Sequence, residues 1–210
     1  MTRLPSLLVL TDRRLTESRH RSLVATASEA VAGGAPAIVF REKDLPVDDR
    51  RRLGEEVAGV LGPRTCLIVA SDPALAHALG ASGVHLAASD PMYRGNDLLR
   101  GRSCHDAAEL DAAATEGVDY ATVSPVYASA SKQGYAPVLG PAALHALAGQ
   151  PGAPPVYALG GVDAVRVPEC LAAGATGVAV MGAVMAAADP AAAVAEIVSA
   201  LETQRKEHVR

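Results

Sequence analysis

Two stretches, Val156-Tyr157-Ala158-Leu159-Gly160-Gly161 and Gly177-Val178-Ala179-Val180-Met181-Gly182-Ala183, decide the fold. Each is an apolar run that ends in glycine. A helix-length segment closing on Ala173-Gly174-Ala175 separates them. A strand that ends in glycine and opens onto a helix lets main-chain N–H groups approach an anion closely, and the helix N-terminus adds a favourable dipole. Two such turns side by side form a phosphate cup. The loops after strands seven and eight of a (βα)8 barrel frequently build one. The pair therefore predicts an α/β (βα)8 barrel, the TIM-barrel architecture, and a phosphorylated ligand.

Working outward, the same punctuation recurs. Gly33-Gly34 precedes Ala37-Ile38-Val39-Phe40, Gly83 precedes Val84-His85-Leu86, and Gly117 precedes Tyr120-Ala121-Thr122-Val123. Glycine at a helix C-terminus turns the chain back to the sheet, and repetition with short connections marks βα units. The strands are expected at 7–10, 38–41, 66–69, 84–86, 101–104, 120–124, 156–159 and 177–181. Helical periodicity lies between them, as in Leu23, Ala27, Ala30 and Val31, in Leu53, Val57, Val60 and Leu61, and in Val194, Ile197, Val198 and Leu201. Asp72-Pro73, Asp90-Pro91 and Asp189-Pro190 read as helix starts, Asp capping and Pro opening the first turn. The crossover from Asp90 to Leu99 is short. Gln150 to Pro155 reads as a helix-to-strand loop. The whole of 1–210 reads as one barrel domain with a charged C-terminal tail from about 202.

The chain has 210 residues, 50% hydrophobic but only 3% aromatic, so Ala, Val, Leu and Ile must fill the core, as suits a buried parallel sheet. A net charge of −4 gives no broad field for nucleic acid or an anionic membrane. No apolar run approaches the roughly 20 residues of a membrane span, and the start, Met1-Thr2-Arg3-Leu4-Pro5, lacks a signal-peptide cleavage pattern. Cys66, Cys104 and Cys170 show no metal-ligand spacing and read as free thiols in a reducing cytoplasm. A homo-oligomer is compatible with this composition.

In a barrel of this kind, groups just past the strand C-termini share one mouth. Those positions hold Asp12, Arg41-Glu42-Lys43, Ser71-Asp72, Asp90, Ser103-Cys104-His105 and Ser124 to Lys132, besides the glycine turns. Cations and hydroxyls dominate, which fits phosphate chemistry better than acyl transfer. Arg41 and Lys43 alternate, so both can face a diphosphate and neutralise charge developing on a leaving group. Alternatively they pair with Glu42, Asp44 or Asp48 on a solvated rim. Ser129 and Ser131, followed by Lys132, could wrap an oxyanion as part of a long loop with a glycine hinge. Asp90 fits either a helix cap or a ligand for Mg²⁺, a hard cation that takes carboxylate and phosphate oxygens. Asp72 reads as a cap. His105 could be acid or base, or structural. The remaining histidines, His85 among them, show no ligand spacing. No Gly-x-Gly-x-x-Gly follows a strand, so a dinucleotide site is unsupported.

Phe40-Arg41-Glu42-Lys43-Asp44, Gly101-Arg102-Ser103-Cys104-His105, Ser124-Pro125-Val126-Tyr127 through Ser131-Lys132, Leu159-Gly160-Gly161-Val162 and Ala173 to Met181 together resemble thiamin phosphate synthase and its relative, the thiazole tautomerase. The likeness spans nearly the whole chain in order. It implies a transferase that joins an aminopyrimidine methyl diphosphate to a thiazole phosphate. Diphosphate leaves first, and the thiazole nitrogen captures the resulting pyrimidine carbocation. By this likeness Arg41, Lys43, Ser103, Ser129, Ser131 and Lys132 hold the diphosphate, Asp90 holds Mg²⁺, and Gly160, Gly161 and Gly182 receive the thiazole phosphate through main-chain N–H groups.

The chain also departs from the synthase pattern. Val39 stands where the synthase carries Gln, Ala70-Ser71 where it carries Asn-Asp, Ala87-Ala88 where Gly-Gln is common, and Gly182 where serine is usual. The pyrimidine and metal walls are thus altered. Pro125 occupies the place of the tautomerase's catalytic histidine. Alternatives to the synthase reading are a divergent paralogue such as a tautomerase-like isomerase, with His105 or Cys104 carrying protons, and a non-catalytic phosphate-binding regulator.

Overall fold

The structure is a computed structural model that describes residues 4–128 and 137–208. The strands are β1 (Leu7–Leu10), β2 (Ala37–Phe40), β3 (Cys66–Ala70), β4 (Gly83–Leu86), β5 (Leu99–Cys104), β6 (Tyr120–Val123), β7 (Val156–Leu159) and β8 (Gly177–Val180). They close into a parallel barrel in sequence order, β8 pairing back onto β1 with Leu8 opposite Ala179. The helices are α1 (Arg13–Glu17), α2 (Leu23–Ala32), α3 (Val47–Val60), α4 (Pro73–Ala78), α5 (Ala107–Glu116), α6 (Gly140–Ala148), α7 (Val167–Ala172), α8 (Gly182–Met185) and α9 (Pro190–His208). Among the described residues, no helix is long and apolar enough to cross a membrane.

Side chains alternate across a strand, so each strand serves two cores. Leu7, Val9, Ile38, Phe40, Val69, Val84 and Val178 face outward and pack on Leu23, Val57, Leu110, Leu144 and Ile197 of the helices. Leu8, Leu10, Ala37, Val39, Ile68, Tyr120, Tyr157 and Ala179 fill the inside. Two of the scarce aromatics lie there. Tyr120 and Tyr157 meet edge to face, ring centres 5.3 Å apart. Neighbouring glycines make their room: a Cβ on Gly101 would stand 2.1 Å from the Tyr120 ring, and one on Gly177 2.7 Å from the Tyr157 ring. This plug fills the lower barrel, and a cavity lies above it at the C-terminal end of the strands.

Most local signals act as the sequence predicts. Asp72 caps α4, accepting from the Leu75 amide, and Asp106 caps α5 in the same way. Gly117 ends α5 in the left-handed region at φ +67°. Asp90-Pro91 is the exception and corrects the expected helix start. Among the described residues no helix links β4 to β5, and Asp90 instead accepts from the Ala87 amide behind it. The cause is Arg102, whose Nη1 takes the carbonyls of Ala87, Ala88 and Asp90 at 2.9, 3.3 and 2.9 Å. Two short helices at the barrel mouth, α1 and α8, were not expected, and α9 continues without a break through residues 202–208.

Arg102 is 3% exposed, and its Nε lies 2.7 Å from Glu116 Oε2. Removing one partner of a buried pair leaves the other charge uncompensated, so Arg102→Met should lower unfolding free energy by about 3 kcal/mol. Urea denaturation at unchanged m value checks this. An unmoved midpoint would contradict the assigned role of Arg102.

Candidate active site

A cavity of about 650 Å³ opens at the C-terminal ends of the strands. Arg41 and Lys43 beyond β2, Ser103 and His105 at the end of β5, Gly160 and Gly161 after β7, and Gly182 at the start of α8 all line it. Cations predicted from β2 and the glycine cup predicted from β7 and β8 thus share one chamber. Ser129, Ser131 and Lys132 lie outside the described residues.

Among the described residues, neither Arg41 nor Lys43 forms an ion pair. This corrects the solvated-rim alternative for Glu42 and Asp44. Arg13 takes Asp44 through both terminal nitrogens at 2.8 and 2.7 Å, and Arg14 adds a third contact at 2.8 Å. The hydrogen bond from Arg13 holds the Asp44 carboxyl down at about 2. Glu42 is buried and accepts from the Thr11 hydroxyl at 2.7 Å and from Arg13 at 3.3 Å. The Thr11 hydroxyl also receives the Arg41 amide at 2.9 Å, which fixes the backbone carrying both cavity cations. Arg41 Nη1 lies 3.2 Å from the Met181 sulfur. Burial lowers the Lys43 ammonium below the usual lysine value. Asp90 works against that shift, while Arg41 and Arg50 add to it.

The wall between β3 and β4 is held from outside the cavity. Arg50 donates to the carbonyls of Ala70 at 2.6 Å and Arg41 at 3.3 Å, and pairs with Asp72 at 3.2 Å. Asp72 is therefore spent on Arg50 and on its helix cap. Ser71 adopts φ +59°, and its hydroxyl donates to Asp90 Oδ2, which also receives the Ala87 amide. Burial alone would raise the Asp90 carboxyl, but these hydrogen bonds and the charges of Lys43 and Arg102 outweigh it and hold it low. Asp90 Oδ1 has no partner among the described residues. No group of three His, Cys, Asp or Glu side chains that could hold a metal occurs among them either. The donor set thus suits only a cation that keeps most of its shell as water and ligand oxygens, which is how Mg²⁺ usually binds. Ala70 presents only a methyl group to the cavity, and Val39 lies in the plug beneath it.

The cup is shaped by close approach. Gly160 sits at φ +95° with the site of a Cβ 2.8 Å from Pro125 Cα, and Gly161 at φ +64° with that site 2.4 Å from the Ala128 carbonyl oxygen. Only glycine fits both the backbone angle and the space. The amides of Gly160, Gly161 and Gly182 have no hydrogen-bond acceptor among the described residues. Arg166 also lines the cavity; its Nη1 donates to the Gly161 carbonyl, and its guanidinium lies 4.8 Å from the centre of the Tyr127 ring.

Two residues outside the predicted set belong to this chamber. Arg166 was signalled only by being the first cation after the glycine turn. His85 was set aside for want of ligand spacing, although a histidine inside a strand buried on both faces is itself a signal. Its Nε2 lies 2.9 Å from Ser103 Oγ, and its Nδ1 3.1 Å from Tyr120 Oη. Burial, then the charges of Lys43, Arg41 and Arg102, push the imidazole down to about 3, so it is neutral at ordinary pH. Cys104 points the other way, into the outer core against α5, where burial pushes its thiol up to about 12. That removes it as a proton carrier in the cavity. His105 lines the mouth but is tied through Nδ1 to Glu109 at 2.9 Å.

Comparison with known proteins agrees with this geometry. A family model described as thiamine monophosphate synthase matches residues 7–184. The thiamine-phosphate synthase of Anaeromyxobacter dehalogenans is 39% identical over 188 residues, covering 87% of this chain and 84% of its own. That of Methanoculleus marisnigri is 37% identical over 194 residues, covering 89% and 90%. The solved structure of thiamine phosphate pyrophosphorylase from Pyrococcus furiosus superposes with a TM-score of 0.83 at 29% identity, covering 95% of this chain and 96% of that one. With an eight-stranded barrel, a cationic β2 terminus and a double glycine cup in one chamber, the chain belongs to the thiamine monophosphate synthase family.

Proposed function

We propose that the chain is a thiamin phosphate synthase, joining an aminopyrimidine methyl diphosphate to a thiazole phosphate with release of diphosphate. One observation carries the reading: among the described residues, two cations without carboxylate partners and three main-chain amides without acceptors line one chamber of about 650 Å³. Such a lining wants more than one anionic group. Two substrates, one a diphosphate and one a phosphate, supply that charge with their rings between.

Arg41, Lys43 and the Ser103 hydroxyl take the diphosphate; Ser129, Ser131 and Lys132 lie outside the described residues and are assigned to it by the family resemblance alone. As the C–O bond to diphosphate breaks, the electron pair leaves with oxygen. Cations fixed in advance by the fold stabilise that charge without the reorganisation that solvent would need. Gly160, Gly161 and Gly182 hold the thiazole phosphate through N–H groups, with Arg166 beside them, and so aim the ring nitrogen at the methylene carbon. Asp90 is the residue that would hold Mg²⁺, whose chemistry here is charge neutralisation on the diphosphate. Ala70 presents a methyl group to the chamber and Val39 lies beneath it, so at these two positions the chain offers shape rather than hydrogen bonds. The tautomerase alternative loses Cys104, which lies outside the chamber.

An assay that couples diphosphate release to a chromogenic readout, with both substrates and Mg²⁺, tests the proposal directly. Lys43→Ala should lower kcat/KM by about 100-fold, the scale for losing one preorganised charge stabiliser. Gly161→Ala should abolish saturation by the thiazole phosphate while the barrel still folds. Absence of turnover by the wild-type protein would refute the synthase reading. The pH profile offers a second check. The free enzyme needs Lys43 protonated, and its pKa lies below that of an exposed lysine, so kcat/KM should fall on the alkaline side earlier than an exposed lysine titrates. Asp90→Asn removes the group that supports the charged form, and the alkaline limb should move to lower pH still. Ser71→Asp supplies a second carboxylate on the metal wall and should lower the Mg²⁺ concentration needed for half-maximal rate. An unchanged requirement would place the ion elsewhere.

A further inference from the structure

Tyr120, His85 and Ser103 form a hydrogen-bonded line from the barrel plug to the cavity surface, with Tyr120 Oη 3.1 Å from His85 Nδ1 and His85 Nε2 2.9 Å from Ser103 Oγ. We infer that Tyr120 and His85 are positioning residues that turn the Ser103 hydroxyl proton toward the anion in the chamber. The inference rests on the diphosphate reading of that chamber for its ligand, but not for its geometry.

The direction of the line follows from satisfaction of buried groups. Tyr120 is 1% exposed, and His85 Nδ1 is its only hydrogen-bond partner among the described residues. A buried phenol that accepted from Nδ1–H would leave its own proton without an acceptor, an expensive arrangement. Tyr120 therefore donates, and Nδ1 is bare. A neutral imidazole carries one proton, which then sits on Nε2. Nε2–H donates to Ser103 Oγ, with the Thr122 hydroxyl at 3.5 Å as a weaker neighbour. With one lone pair so occupied, Ser103 keeps its own proton for a partner in the cavity it lines. Without the tyrosine proton, Ser103 could donate to Nε2 instead and turn away from the ligand.

Space has been made for this line. A Cβ on Gly101 would fall 2.4 Å from Tyr120 Oη and 2.6 Å from His85 Nδ1, so the glycine between them on β5 admits the contact. The His85 and Tyr120 rings stack with centres 5.5 Å apart and planes 26° from parallel, which holds the imidazole edge toward Ser103. Burial, helped by the surrounding cations, keeps a second proton off the ring, so the tautomer, rather than a charge, carries the orientation.

Nitrogen-detected NMR of the wild-type protein without substrates reads the tautomer directly. The expected result is Nε2–H on His85; Nδ1–H would overturn the inference whatever the enzyme's activity. Inorganic pyrophosphate binding by calorimetry, with Mg²⁺ held constant, is the functional arm. Tyr120→Phe keeps the ring and its packing, and circular dichroism serves as the folding control. It should shift His85 toward the other tautomer and weaken pyrophosphate about tenfold, the scale of one hydrogen bond to a charged group. Ser103→Ala should weaken it similarly, and Tyr120→Phe with Ser103→Ala no further, since both remove the same donor. Additive losses, or an unmoved tautomer in Tyr120→Phe, would show a packing role only and overturn the inference. Wild-type protein that fails to bind pyrophosphate would refute the diphosphate reading instead, and the tautomer measurement would still decide the orientation of the line.

Discussion

The alternation imposed by closing eight parallel strands is the constraint on which the rest depends. Every second residue must point into a cylinder too narrow for water, so the lower interior has to be apolar or internally satisfied. Tyr120 and Tyr157 fill it where Gly101 and Gly177 leave room. Moving up β5, the inward positions read Leu99, Gly101 and Ser103, a progression from apolar residue to spacer to hydroxyl. Along β2 they read Ala37, Val39 and then Arg41. The chamber is simply the level at which the plug stops and polar inward residues begin.

What makes that chamber electropositive is the disposal of carboxylates rather than an excess of cations, for the chain carries a net charge of −4. Glu42 and Asp44 flank Lys43 in sequence, yet Arg13 and Arg14 at the start of α1 draw both away. Arg50 from α3 draws away Asp72 and ties down the Ala70 and Arg41 carbonyls. Arg102 reaches through β5 to fix the loop carrying Asp90. The arginines outside the barrel thus neutralise or anchor, while Arg41 and Lys43 within it stay uncommitted. A mobile anion can then approach two charges that no carboxylate pairs directly, Asp90 acting on Lys43 only from a distance.

The barrel was legible because its signals are local. Strand ends, glycine C-caps and Asp caps each act within a few residues, and the expected strands agree with the observed ones to within two residues at either end. The cavity cations and the glycine cup were legible for a related reason: strand termini of a barrel share one mouth whatever lies between them. Other features were hidden because they depend on contacts distant in sequence. The missing helix after β4 results from Arg102 claiming carbonyls 12 to 15 residues earlier. His85 and Tyr120 are 35 residues apart, and neither has a spacing that suggests the other. Cys104, one residue past Ser103, looked equally near the mouth, but period-two alternation sends it to the opposite face.

The same logic bears on the wall built by β3 and β4. Ala70 ends β3 and lines the chamber, and Ser71 follows it. Ser71 adopts a left-handed turn, and its hydroxyl donates to Asp90. That bond and the Ala87 amide both go to Asp90 Oδ2. Arg41, Lys43 and the amides of the cup are supplied by other strand ends and are coupled to this wall only through charge. A barrel distributes its site over eight strand ends, and neighbouring ends such as β2 and β3 are tied together by Arg50, which holds the carbonyls of both Arg41 and Ala70.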